Sequence, residues 1–151
     1  MPKHSDKRIG AQKSMTLMEL APLTGIPGVR FIDLQYGDTA EERRQFEDRT
    51  GTTILHDEHV DQMSDLDAFA AQVAAMDLVI SVSNTTVHMS GSLGVPTWVM
   101  LNTVPLPCWL LERDDSPWYP SVRLFRQPAA GDWANVTERT GDALRAFAGG
   151  G

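Results

Sequence analysis

The residues best suited to chemistry lie together. Ser83, Asn84, Thr85 and Thr86 follow the apolar run Leu78 to Val82, and His88 comes two residues later. Ser, Asn and Thr side chains open helices by accepting a hydrogen bond from an unpaired backbone N–H. The free N–H groups of such a first turn, with the positive end of the helix dipole, equally hold a phosphate or pyrophosphate, and the Thr hydroxyls add donors. A plain capped helix and an anion cradle use the same residues, so the pattern leaves both readings open. Downstream, Ser90, Gly91 and Ser92 supply small side chains where a helix lies close to its sheet, and Gly94 with Val95-Pro96 ends the helix. The stretch reads as strand, phosphate-sized turn, helix and strand from Leu78 to Leu101, with Leu78–Val82 expected as a central strand covered on both faces.

Other candidates each have a bland reading beside the functional one. Lys13 is either a phosphate ligand ahead of a helix or a solvated lysine. His56-Asp57-Glu58-His59 has metal-ligand chemistry but lacks the helical HExxH spacing, so a solvated acidic loop is the simpler reading and no metal is expected. His88 is either a donor contact or a packed core histidine. Trp98 is expected in the core, Trp118-Tyr119 either over a cleft or on the surface, and Arg113 paired with Asp114 or Asp115. Cys108 is the only cysteine, which excludes an internal disulfide and a multi-cysteine zinc site, and it reads as structural.

The 151 residues make one domain's worth of chain, with 42% hydrophobic and 22% charged residues, ordinary for a globular protein. The net charge of −7 argues against nonspecific nucleic-acid binding, which depends on basic contacts to phosphates. No apolar run reaches the roughly 18 residues of a membrane span, and MPKHSDKRIG has no signal-peptide core, so the expected location is cytoplasmic. The organisation expected is a polar segment over 1–12, a domain over 13–147 and a Gly-rich tail over 148–151.

The elements that must position the candidates alternate along the chain. A helix capped by Ser14 is expected over Ser14–Leu23, then a strand Val29–Leu34 leading into Gln35, and a solvated helix opened by Asp38 or Thr39 and stopped at Gly51. A short strand Thr52–Leu55 follows, then an acidic loop, and an amphipathic helix opened by Ser64 or Asp65 with Leu66, Phe69, Val73 and Met76 on one face. Val122–Phe125 is the last strand, and Asp132 opens a final helix over about Trp133–Phe147. Strands alternating with helices predict an α/β fold with a doubly wound parallel sheet. Ligands of such sheets sit beyond the carboxyl ends of the strands, so the loops after Leu34, Leu55, Val82 and Leu101 are expected on one rim.

With these residues in place, the chain resembles the carboxyl-terminal, nucleotide-sugar-binding half of GT-B glycosyltransferases, of the bacterial tetratricopeptide-associated, heptosyltransferase-like type. The resembling stretches are KSMTLMEL, VRFIDLQYGD, LDAFAAQVAAMDLVISVSNTTVHMSGSLGVPTWVML and LERDDSPWYPSVRLFRQ, which together span about residues 13 to 127. The resemblance implies a Rossmann-like domain in which Asn84, Thr85 and Thr86 hold the donor diphosphate and Lys13 neutralises it. His88 matches a histidine usual in that helix, and the loop between His59 and Asp67 faces the base and ribose; Gln35, after Leu34, is placed on the same rim by strand direction. The chain departs from the heptosyltransferase pattern at Asn84, where an acidic residue is usual. The family's acceptor half, with its catalytic base, precedes the donor half and is not among these residues, so no catalytic residue is assigned. The expected partners are a nucleotide sugar as donor substrate, with no cofactor, and an acceptor domain or a second copy. A noncatalytic, self-associating domain derived from a truncated transferase is the competing expectation. Neither a GxxxxGK nor a GxGxxG motif is present.

Overall fold

The computed structural model describes residues 15–35, 37–104 and 107–150. They form a mixed α/β structure with two parallel sheets. A 3-10 helix, Leu17–Leu23, leads into β1 (Phe31–Ile32), α1 (Ala40–Thr50), β2 (Ile54–Leu55) and α2 (Leu66–Ala74). Then come β3 (Val79–Val82), α3 (Thr85–Ser92), β4 (Thr97–Leu101), a 3-10 turn Pro107–Trp109, β5 (Val122–Arg126) and α4 (Trp133–Gly149). β1 pairs with β2, and β3–β4–β5 form a second sheet in that order.

The expected single sheet is therefore two, and β3 is not central. Among the described residues it pairs with β4 alone, while β4 is flanked on both sides and all five of its residues are buried. β4 fills the centre because its alternating side chains meet different cores. Trp98 and Met100 join Phe125, Val136 and Leu144, whereas Val99 and Leu101 join Val87, Trp109 and Leu124. A third cluster packs Phe69 and Val73 of α2 against Val79 and Val95. Trp98 is core, as the sequence predicts.

Helix boundaries follow local chemistry. The first helical segment is 3-10, opened by Thr16, whose hydroxyl accepts from Glu19 N while the Glu19 carboxylate accepts from Thr16 N. The predicted cap, Ser14, lies outside the described residues. Thr39 occupies the cap position of α1 without accepting from a backbone N–H of the first turn; Asp38 accepts from Ala40 N instead. Gly51 ends α1 at a φ of 74°, a left-handed conformation for which glycine is suited. α2 and α4 open on Asp65 and Asp132, each accepting from the N–H three residues on. Leu66, expected on the apolar face of α2, is exposed, because it fronts a cleft and not the core.

Candidate functional site

A cleft of about 1680 Å³ separates the two sheets. Gln35, Asn84, Thr85 and Thr86, all predicted from sequence, line it. Their positions follow from strand direction: β1 and β3 end at the same cleft, so the residues after each strand meet there. Asn84 caps α3, its Oδ1 accepting from Val87 N at 3.3 Å, and its Nδ2 donates to Ser81 Oγ at 2.8 Å. The side chain is thereby fixed from both ends. Thr85 is exposed and Thr86 half-buried, leaving the N-terminal turn of α3 open to the cleft.

The opposite wall is organised by Asp33. Its Oδ1 accepts from Gln35 N at 2.8 Å, and its Oδ2 accepts from the Thr39 hydroxyl. Arg43 Nε lies 3.7 Å from the same oxygen and His56 Nδ1 3.6 Å from it. Arg43 also donates to Thr39 Oγ1 at 3.1 Å, so its charge is shared within this network. Gln62 bridges the acidic loop to β1 by donating to Leu34 O at 2.9 Å. The loop is further shaped by Asp61, whose carboxyl is held below its usual range chiefly by the Met63 N–H.

His88 takes a different place. It does not line the cleft; its ring stacks on Trp109 with centroids 5.3 Å apart, and Nδ1 meets the Tyr119 hydroxyl at 3.1 Å. The expected donor contact gives way to the packed reading because both faces of the problem, ring and nitrogen, find partners in the loop after β4. Trp109 Nε1 in turn donates to Ser83 Oγ at 2.9 Å, tying that loop to the turn before α3. Gly91 is small for the sake of Tyr119 and not of the sheet: a Cβ there would lie 2.7 Å from Tyr119 Cγ. Ser90 instead makes the close approach to the sheet, its hydroxyl bonded to Thr97 on β4.

Lys13 lies outside the described residues. The described residues of the segment between β4 and β5, expected on the same rim, do not line the cleft; Trp118 is exposed and Tyr119 packs inward. Arg113 pairs with Asp115 at 2.6 Å, the bland alternative, and this holds the Asp115 carboxyl below its ordinary range. Among the described residues, no group of three or more His, Cys, Asp or Glu side chains could hold a metal, and no helix is long and apolar enough to cross a membrane. Sequence reasoning missed Asp33 and Gln62. Asp33 had a readable signal, a carboxylate at the carboxyl end of an apolar strand. Gln62 had none.

Comparison with known proteins gives one informative similarity. Protein FlbA of Caulobacter vibrioides is 40% identical over 128 residues, which cover 84% of this chain and 21% of FlbA. The chain thus spans about a fifth of the length of that curated relative. No family model matches the chain, and no solved structure does.

Proposed function

We propose that the chain is the donor-binding half of a GT-B-type glycosyltransferase, a doubly wound Rossmann-like unit that holds the diphosphate of a nucleotide sugar at the start of α3. The observation that supports this most is the open turn Asn84-Thr85-Thr86, which follows a parallel strand and faces a large cleft with Gln35 across it. Amides at a helix N-terminus stabilise a diphosphate in the ground state and the charge that gathers on it as a leaving group. The reaction needs an acceptor and a base supplied by a second half.

Titration calorimetry with UDP, ADP and GDP tests the reading. One of the three should bind, Thr86→Val should weaken it by about 0.5–1.5 kcal/mol through loss of one hydrogen bond, and Lys13→Ala by about 1.5–3 kcal/mol through loss of a charge-assisted one. Absence of heat with all three nucleotides removes the proposal.

A self-associating, noncatalytic domain is the second reading. Val104, Leu111 and Trp118 favour it, being 76%, 70% and 67% exposed on one connecting segment. Light scattering across a concentration series, with and without nucleotide, separates the two: assembly that ignores nucleotide belongs to the second.

A further inference from the structure

The cleft continues beneath the donor turn as a slot between two sheet edges. Consecutive residues from Phe31 to Leu34 form one side and from Leu78 to Ser83 the other. Backbone direction identifies the groups that face it. Val79 N donates to Pro96 O, so Val79 and Ser81 point their amides and carbonyls toward β4, and Ile80 and Val82 point theirs into the slot. Asp33 N donates to Leu55 O, so Phe31 and Asp33 face β2, and Ile32 and Leu34 face the slot. Leu34 O accepts from Gln62, which itself lines the cleft, in keeping with that direction. Among the described residues, no backbone group pairs with Ile32, Ile80 or Val82 on that side. The slot also has an apolar floor and ceiling: Leu66 and Phe69 of α2 line it, as do Leu144 of α4 and Leu20 of the first 3-10 helix.

We propose that this slot accepts an extended peptide segment of about five residues, apolar on both faces, which joins β1 to β3 and makes the two sheets one. Two edges offering backbone hydrogen bonds select an extended chain, since a helix satisfies its own amides internally and has nothing to give them. Walls of sheet edge with helices above and below select a near-continuous apolar run, the pattern of a buried strand, over an alternating one. Residues 1–14, MPKHSDKRIGAQKS, do not have that pattern: Met1 and Ile9 are their only large apolar side chains. The occupant is therefore a segment of other sequence. The inference does not rest on nucleotide binding, because the slot lies between the strands and the donor turn beyond their ends.

Hydrogen exchange on the full chain, with and without the capped peptide Lys-Val-Ile-Val-Val-Ile-Lys, tests it. The amides of Ile32, Ile80 and Val82 should slow by at least about tenfold, while Ser81, already facing β4, changes less. The same peptide with Ser at each apolar position should leave all of them unchanged. Ile80→Pro removes an amide that faces the slot and leaves the β4 ladder intact, so it should abolish the protection while circular dichroism stays that of the parent. Should that variant fail to fold, the exchange of the parent chain decides alone. The proposal is overturned if the three amides are unaffected by saturating peptide, if the Ser peptide protects them equally, or if they are already as slow as Val99 in its absence. Protection that rises with protein concentration without peptide would place a second copy in the slot and would also overturn it.

Discussion

At Gly91 a missing methyl group decides where an aromatic ring can sit. The Tyr119 ring occupies the space of the absent Cβ, and its hydroxyl reaches His88, which stacks on Trp109. Gly91→Ala should displace Tyr119 and destabilise the fold by about 1–3 kcal/mol, the range for overpacking a filled site. Thermal unfolding gives the cost, and near-ultraviolet circular dichroism reports the tyrosine and tryptophan packing; an unchanged spectrum would refute the contact. Asn84→Ala should lose about 1 kcal/mol as a cap. Restoration by Asn84→Ser would assign the loss to the Val87 N–H bond and not to the one with Ser81.

Among the elements, the loop between β4 and β5 is held by an unusual strut. Arg126 donates from Nε to Arg113 O at 2.9 Å and from Nη2 to Trp109 O at 2.8 Å. Burial lowers its pKa, yet a guanidinium remains charged throughout the ordinary range, so the cation stays in place at any working pH. Arg126→Met keeps much of the side-chain volume but leaves both carbonyls without their donor. It should speed amide exchange across residues 110–118 while leaving β4 slow, a pattern separable from global destabilisation. The loop before α2 behaves differently with acid. The folded-state pKa of Asp61 lies below its ordinary 3.8, so its contribution is fully present above that value and is lost as pH falls through the folded one. Urea midpoints followed from about pH 6 to pH 3 should fall less steeply below about pH 4 in Asp61→Asn than in the parent. An identical slope would remove Asp61 from the account.

Over the whole molecule, the parts legible in sequence were those set by near neighbours in the chain. Asp65 and Asp132 open their helices as expected, Gly51 closes one, and Asn84, Thr85, Thr86 and Gln35 meet at one cleft. What escaped was set by distant residues. An apolar run such as Leu78–Val82 fits a central strand or a strand flanked on one side equally well, because the pattern reports burial of faces and not occupancy of edges. His88 has the same helical position whether it meets a ligand or Trp109, and only the return of the chain at Trp109 and Tyr119 chooses between them.

The separation of the sheets also divides the folding cooperativity. β1 and β2 are joined by two residue pairs, against four between β3 and β4 and five between β4 and β5. Phe46 and Ile54, the buried apolar residues of the β1–α1–β2 unit, belong to none of the three core clusters. The first 3-10 helix, by contrast, places Leu23 in the same cluster as Val136 and Leu144 of α4. Phe31 and Leu34 pack against two of those clusters, but the short pairing and the separate burial of Phe46 and Ile54 predict that residues 31–55 open before the rest. Brief digestion with a protease should cut within this unit before any cut appears in β4 or α4, and the site of first cleavage would report how tightly the two sheets are coupled.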